Sequence, residues 1–158
     1  MLLKIKLKRF CSIEITINGV KPVSVSLPNL DIAMIYKKSL EWVEKSFDNP
    51  QEILIKSTDN QSIQIQSFQK DAFYYMGFGF KNEFDMVYTL EIDIQVNEVT
   101  LRFIPGQFSS GGQNAPFTTE LFFENDGSVN WQCKEAKPSL EKTMNEIGNS
   151  WLDFVKMK

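Results

Sequence analysis

The chain has 158 residues, 42% of them hydrophobic and 23% charged, with a formal net charge of −3 and no histidine. That is enough chain for one domain that buries about 70% of the surface its unfolded form exposes. The charge argues against a general affinity for phosphate backbones or anionic membranes, and no apolar run reaches the ~20 residues of a membrane-crossing helix.

Met1 to Arg9 alternates apolar and basic residues, unlike the unbroken apolar stretch of a signal peptide. Cys11 follows Arg9 and Phe10 rather than the small residues of a lipobox. The sequence as it stands therefore predicts a cytoplasmic location, and an envelope location if the native start lies upstream. Cys11 and Cys133 are then expected as two reduced thiols. From Leu3 to Ile17 the odd positions are mostly apolar, which predicts a strand. Lys4, Lys6 and Lys8 share its other face, read as a solvated or protected sheet edge rather than a nucleic-acid patch.

Asn18-Gly19 predicts a hairpin onto Val23, Val25 and Leu27, with one irregular residue that pairs Ile15 with Val23 and Ile13 with Val25. Leu30 to Phe47 reads as an amphipathic helix. Asp31 is its N-cap, Leu30 and Ile35 form a hydrophobic staple, and Ile32, Ile35, Tyr36, Leu40, Trp42, Val43 and Phe47 form its inner stripe. Short strands are predicted at 52–57 and 62–68, followed by the aromatic stretch Phe73 to Phe84. Phe78 and Phe80 are placed there on one strand face, opposite Gly77 and Gly79. Met86 to Val96 alternates cleanly. A turn at Asn97-Glu98 closes it onto Val99–Ile104, pairing Ile92 with Phe103 and setting Asp93 opposite Arg102.

Pro105 to Pro116 has no period and reads as a loop. A last hairpin is predicted over 118–124 and 128–133, turning at Asp126-Gly127 and pairing Phe122 with Trp131. Pro138 opens a closing helix with the stripe Leu140, Met144, Ile147, Trp151, Phe154 and Val155. No repeat or linker divides the chain, so a single domain over 1–158 is expected. The fold class is α+β: one twisted, mostly antiparallel sheet with two long helices on one face.

This order resembles a family of unknown function from Bacteroidetes-type bacteria, described as having a TATA-binding-protein-like (TBP-like) fold. The resemblance is carried by Pro28-Asn29-Leu30-Asp31, Ile35-Tyr36, Leu40-Glu41-Trp42-Val43 and Phe47. Ile53 to Ile65 around Asp59, and Tyr88 to Ile94 with Arg102, add to it. It spans about 10–158. The Asn97-Glu98 turn stands where a glycine is expected, and the export signal common in such proteins is missing. The resemblance implies a topology and no DNA binding, since a fold does not carry a function with it.

The missing histidine removes the commonest general base and metal ligand. The two cysteines lack zinc-site spacing, and no phosphate or dinucleotide loop is present. No cofactor and no tightly bound metal are expected. Three candidate surfaces remain: the aromatic stretch with Phe78 and Phe80, the 105–116 loop, and the sheet face left uncovered by the helices. Glu91, Asp93, Thr100 and Arg102 would line that face. The leading expectation is a non-enzymatic binding or interaction domain for a protein or small-molecule ligand. The alternatives are a carboxylate-based hydrolase lacking histidine and, by fold analogy alone, a nucleic-acid binder, which the charge disfavours.

Overall fold

A computed structural model describes residues 12–158. The basic alternation before Ser12, with Cys11, lies outside the described residues. A small hairpin, β1 (Ile15–Thr16) and β2 (Gly19–Val20), leads into β3 (Val23–Ser26). Helix α1 (Ile32–Ser46) and one helical turn, α2 (Pro50–Ile53), follow. Then come β4 (Leu54–Thr58), β5 (Ser62–Gly77), β6 (Phe80–Gln95), β7 (Glu98–Ser110) and β8 (Gln113–Asn114). Two 3-10 turns precede the closing helix α3 (Ala136–Lys156).

β3, β7, β6, β5 and β4 lie side by side in that order, all antiparallel, with β8 also on β7. Along β6, Phe84, Met86, Tyr88, Leu90, Ile92 and Ile94 are buried while the residues between them are not. Period-two alternation thus gives the sheet one apolar face, and α1 and α3 pack on it. Asp31 caps α1 as expected, its carboxylate accepting from the Met34 amide at 2.7 Å. Tyr36 reaches out to donate to Asp59 at 3.2 Å. On α3 the buried stripe is Leu140, Met144, Gly148, Trp151, Leu152 and Val155, and Ile147 and Phe154 flank it half-buried. A ring cluster of Phe73, Phe84, Phe108, Phe117 and Phe122 closes the core at one end.

Several expected pairings change. Ile15 pairs with Val20, through a two-residue loop at Ile17-Asn18, and not with Val23. Pro22 has no amide to continue that ladder. β3 instead joins β7, with Val25 opposite Val99. The central hairpin turns at Val96-Asn97, one residue before the expected position. Ile92 therefore faces Leu101, and Arg102 faces Glu91 rather than Asp93. The two registers differ by two residues, so both keep every apolar side chain on the same face and alternation cannot separate them. Turn chemistry does: Asn97 sits at φ +64°, a left-handed conformation that asparagine tolerates.

β5 and β6 are far longer than their apolar runs. A bulge between Gln69 and Phe73, with Asp71 at φ +50°, breaks the alternation of β5 without ending the strand. The aromatic stretch is the far end of this hairpin. Phe78 and Gly79 form its turn, at φ +51° and +78°, so Phe78 does not share a strand face with Phe80. Eight of the twelve residues of the expected 105–116 loop are strand. A bulge carries β7 past Pro105, and the left-handed pair Gly111-Gly112 turns it onto β8. At that bulge a Cβ on Gly106 would meet the Val87 carbonyl oxygen at 2.8 Å, so the close strand approach needs glycine.

The last expected hairpin is a single bridge, Phe123 to Val129, between 3-10 turns Thr119–Phe122 and Trp131–Cys133. The Asp126-Gly127 turn is present, with Asp126 accepting from the Ser128 amide at 2.9 Å. Asn130 caps the second 3-10 turn, accepting from the Gln132 amide at 3.0 Å. That turn points Trp131 outward while Phe122 is buried, so the two do not pair.

Candidate functional site: the uncovered sheet face

The face opposite the helices is built by the odd-numbered residues of β6 and their cross-strand neighbours. Ser62, Asp93, Thr100 and Ser24 form one row, Gln64, Glu91 and Arg102 the next, and Gln66, Thr89 and Ile104 a third. Beyond them Phe68 faces Val87. Arg102 donates to Glu91 at 3.0 Å and lies 3.6 Å from Asp93, so one guanidinium bridges two carboxylates. Ser24 and Thr100 hydroxyls meet at 3.4 Å. Beside this polar group Phe68 and Ile104 stand 57% and 44% exposed.

Glu91, Asp93, Thr100 and Arg102 are thus brought together as a surface. Phe78 and Phe80 are not part of it, since Phe80 lies eleven strand steps from Glu91, roughly 35 Å. Phe68 and Ile104 were missed as candidates. Their signal is positional: each lies an odd number of strand steps from buried neighbours, Ile65 and Phe103, and so points the other way.

Glu91 and Asp93 are on an open sheet, converging on Arg102 rather than on a cleft. A cleft of about 910 Å³ does open at the start of α1, lined by Pro28, Leu30, Asp31, Asp59, Asn60 and Asn97 among others. Its two carboxylates already accept structural hydrogen bonds, Asp31 from the Met34 amide and Asp59 from Tyr36. Among the described residues no group of three or more Cys, Asp or Glu side chains is gathered to hold a metal. No helix among them is long and apolar enough to cross a membrane.

Two buried acids on the helix side titrate late. Burial pushes the Tyr88 hydroxyl above its ordinary 10.0, opposed in part by a hydrogen bond with Ser67. Burial, with Glu135 and Glu124 nearby, raises the Cys133 thiol above 9.0. In each case the unfolded chain loses its proton first. The stabilisation from keeping these groups neutral is complete below their unfolded values and is lost as pH rises through the folded ones. Urea midpoints should therefore hold up to about pH 9 and fall above it. Tyr88→Phe should flatten the part of the decline above pH 10. A midpoint that climbs across this range would contradict the assignment.

An antiparallel sheet with one wet face and helices on the other is the layout of the TBP-like fold. The model of a family described as a domain of unknown function (DUF4468) with TBP-like fold matches residues 23–105, and the chain belongs to that family. Two crystal structures are similar, each with a TM-score of 0.62. A DUF4468 family protein from Bacteroides ovatus is 8% identical, with 96% of this chain and 93% of that one covered. A TBP-like protein from Parabacteroides distasonis is 15% identical, with 86% and 91% covered. At such identities these likenesses show the fold alone. No curated protein matches the chain.

Proposed function

We propose that this domain is a non-catalytic binding module whose working surface is the uncovered sheet face, and that its partner is a protein. The observation that carries the reading is the pairing of exposed Phe68 and Ile104 with the bridged Glu91–Arg102–Asp93 group. An apolar centre beside a hydrogen-bonded polar rim is the usual anatomy of a protein interface. Nucleic acid fits poorly. The face carries Asp85, Glu91, Asp93 and Glu98 against two cations, Lys56 opposite Gln64 and Arg102, and the arginine is already engaged by two of the acids.

The test separates binding from folding. Glu91→Ala/Arg102→Ala removes a partly exposed ion pair, worth ~0.2–1 kcal/mol, so thermal unfolding should barely move. Phe68→Ser/Ile104→Ser alters two exposed side chains with as little effect on stability. Immobilised wild type should capture a partner from lysate of its own organism that both variants fail to capture. A partner held equally by all three would exclude this face. A large stability loss in the Glu91/Arg102 variant would mean that the pair is covered and the face is not open.

A further inference from the structure

We propose that the tip of the β5–β6 hairpin inserts into the interfacial layer of a lipid bilayer. β7 pairs with β6 only as far as Asp85, so the last residues of β5 and the first of β6 continue as a two-stranded ribbon beyond the sheet. At its end Phe78 is fully exposed, Phe80 is 73% exposed and Met76 is 45% exposed. Phe78 occupies the turn. Phe80 pairs with Gly77 on the helix side of the ribbon, and Met76 pairs with Lys81 on the other side. The tip therefore carries an apolar side chain at its apex and on each face, with Lys81 beside Met76 as its one charge. A side chain set that docks on a protein is apolar on the side it buries, whereas one apolar all round suits a medium that surrounds it.

The next rung back is amphipathic. Tyr75 lies there opposite Asn82 and Tyr74 opposite Glu83, and the Lys81 ammonium reaches back from the tip to 4.6 Å from the Tyr74 ring centroid. Tyrosine and lysine behind an apolar tip are the residues that a headgroup layer accommodates, with rings and stems toward the chains and polar ends toward water. Glu83 pairs with Lys81 at 2.8 Å, which leaves the tip and the residues behind it without excess charge. A zwitterionic surface fits that balance, and it also fits the net charge of −3, which repels an anionic one.

The turn itself points the same way. Its first position is left-handed, where asparagine or glycine fits freely and a bulky side chain is strained. A phenylalanine there is a local cost without any packing return in the fold, since its ring touches solvent all round.

Sedimentation with phosphatidylcholine vesicles tests the proposal. Wild type should co-sediment, with little change between low and high salt. Phe78→Asn makes an Asn-Gly turn that suits the backbone better, so it should fold at least as stably, yet its vesicle partition should fall at least tenfold. Phe78→Asn/Phe80→Ser should remove binding altogether. Glu91→Ala/Arg102→Ala should bind vesicles as wild type does, so this result is independent of the sheet face. Wild type that stays in the supernatant would overturn the proposal, as would equal binding by Phe78→Asn. A wild-type dimer that Phe78→Asn converts to monomer, without vesicle binding in either, would also overturn it and assign the tip to a second copy of the chain.

Discussion

Trp42→Ala should cost ~3–5 kcal/mol of folding stability. The side chain is 2% exposed and stands where the two helices meet the sheet. Its ring meets Phe47 edge-on, with centroids 5.5 Å apart, which fixes the chain as it leaves α1. Its indole nitrogen donates to the Ser150 hydroxyl at 3.2 Å and so ties α1 to α3. Truncation removes the ring, opens a cavity between layers that cannot close around it, and loosens both helices together. The hydrogen bond is the smaller part. Ser150 is exposed, so Ser150→Ala leaves the indole N–H close to water and should cost under ~1 kcal/mol. Urea unfolding of both variants checks the division. A Trp42→Ala loss below ~1 kcal/mol would show that the layer is not packed as described.

α1 was legible in the sequence because several local signals agree on it: the acidic cap, the staple and a stripe at the helical period. The sheet was legible as faces and not as registers. Alternation told which residues of β6 and β7 point inward, but a shift of two residues preserves every face, so the partner of Arg102 had to come from the turn. Bulges hid the rest. Asp71 and Gly106 each interrupt a period at a point where the strand continues, so β5 and β7 read as shorter than they are. The polar half of the candidate surface could be named from the face pattern alone. Its apolar half, Phe68 and Ile104, could not stand out from sequence composition, because nothing in one strand announces that its outer face lacks a cover among the described residues.

The second large effect concerns a polar group that the apolar pattern of α1 conceals. Ser39 is fully buried within the inner stripe, and so is Trp151 on α3. The Trp151 indole donates to the Ser39 hydroxyl at 2.9 Å, and that hydroxyl donates in turn to the Ile35 carbonyl at 2.7 Å. Trp151→Ala should cost ~3–5 kcal/mol through lost burial and the cavity. Ser39→Ala removes only one oxygen but leaves the indole N–H in the core without an acceptor, so ~1–3 kcal/mol should be lost. Trp151→Phe keeps most of the ring and leaves Ser39 its bond to Ile35, so the polar cost of this change is lower. Once Trp151 is Phe, removing the hydroxyl no longer orphans a donor. Ser39→Ala/Trp151→Phe should therefore lose less than the sum of the single changes, with a coupling of ~0.5–3 kcal/mol in a double-mutant cycle. Strict additivity would mean that the two side chains do not bond and that α1 and α3 are held together by apolar contact alone.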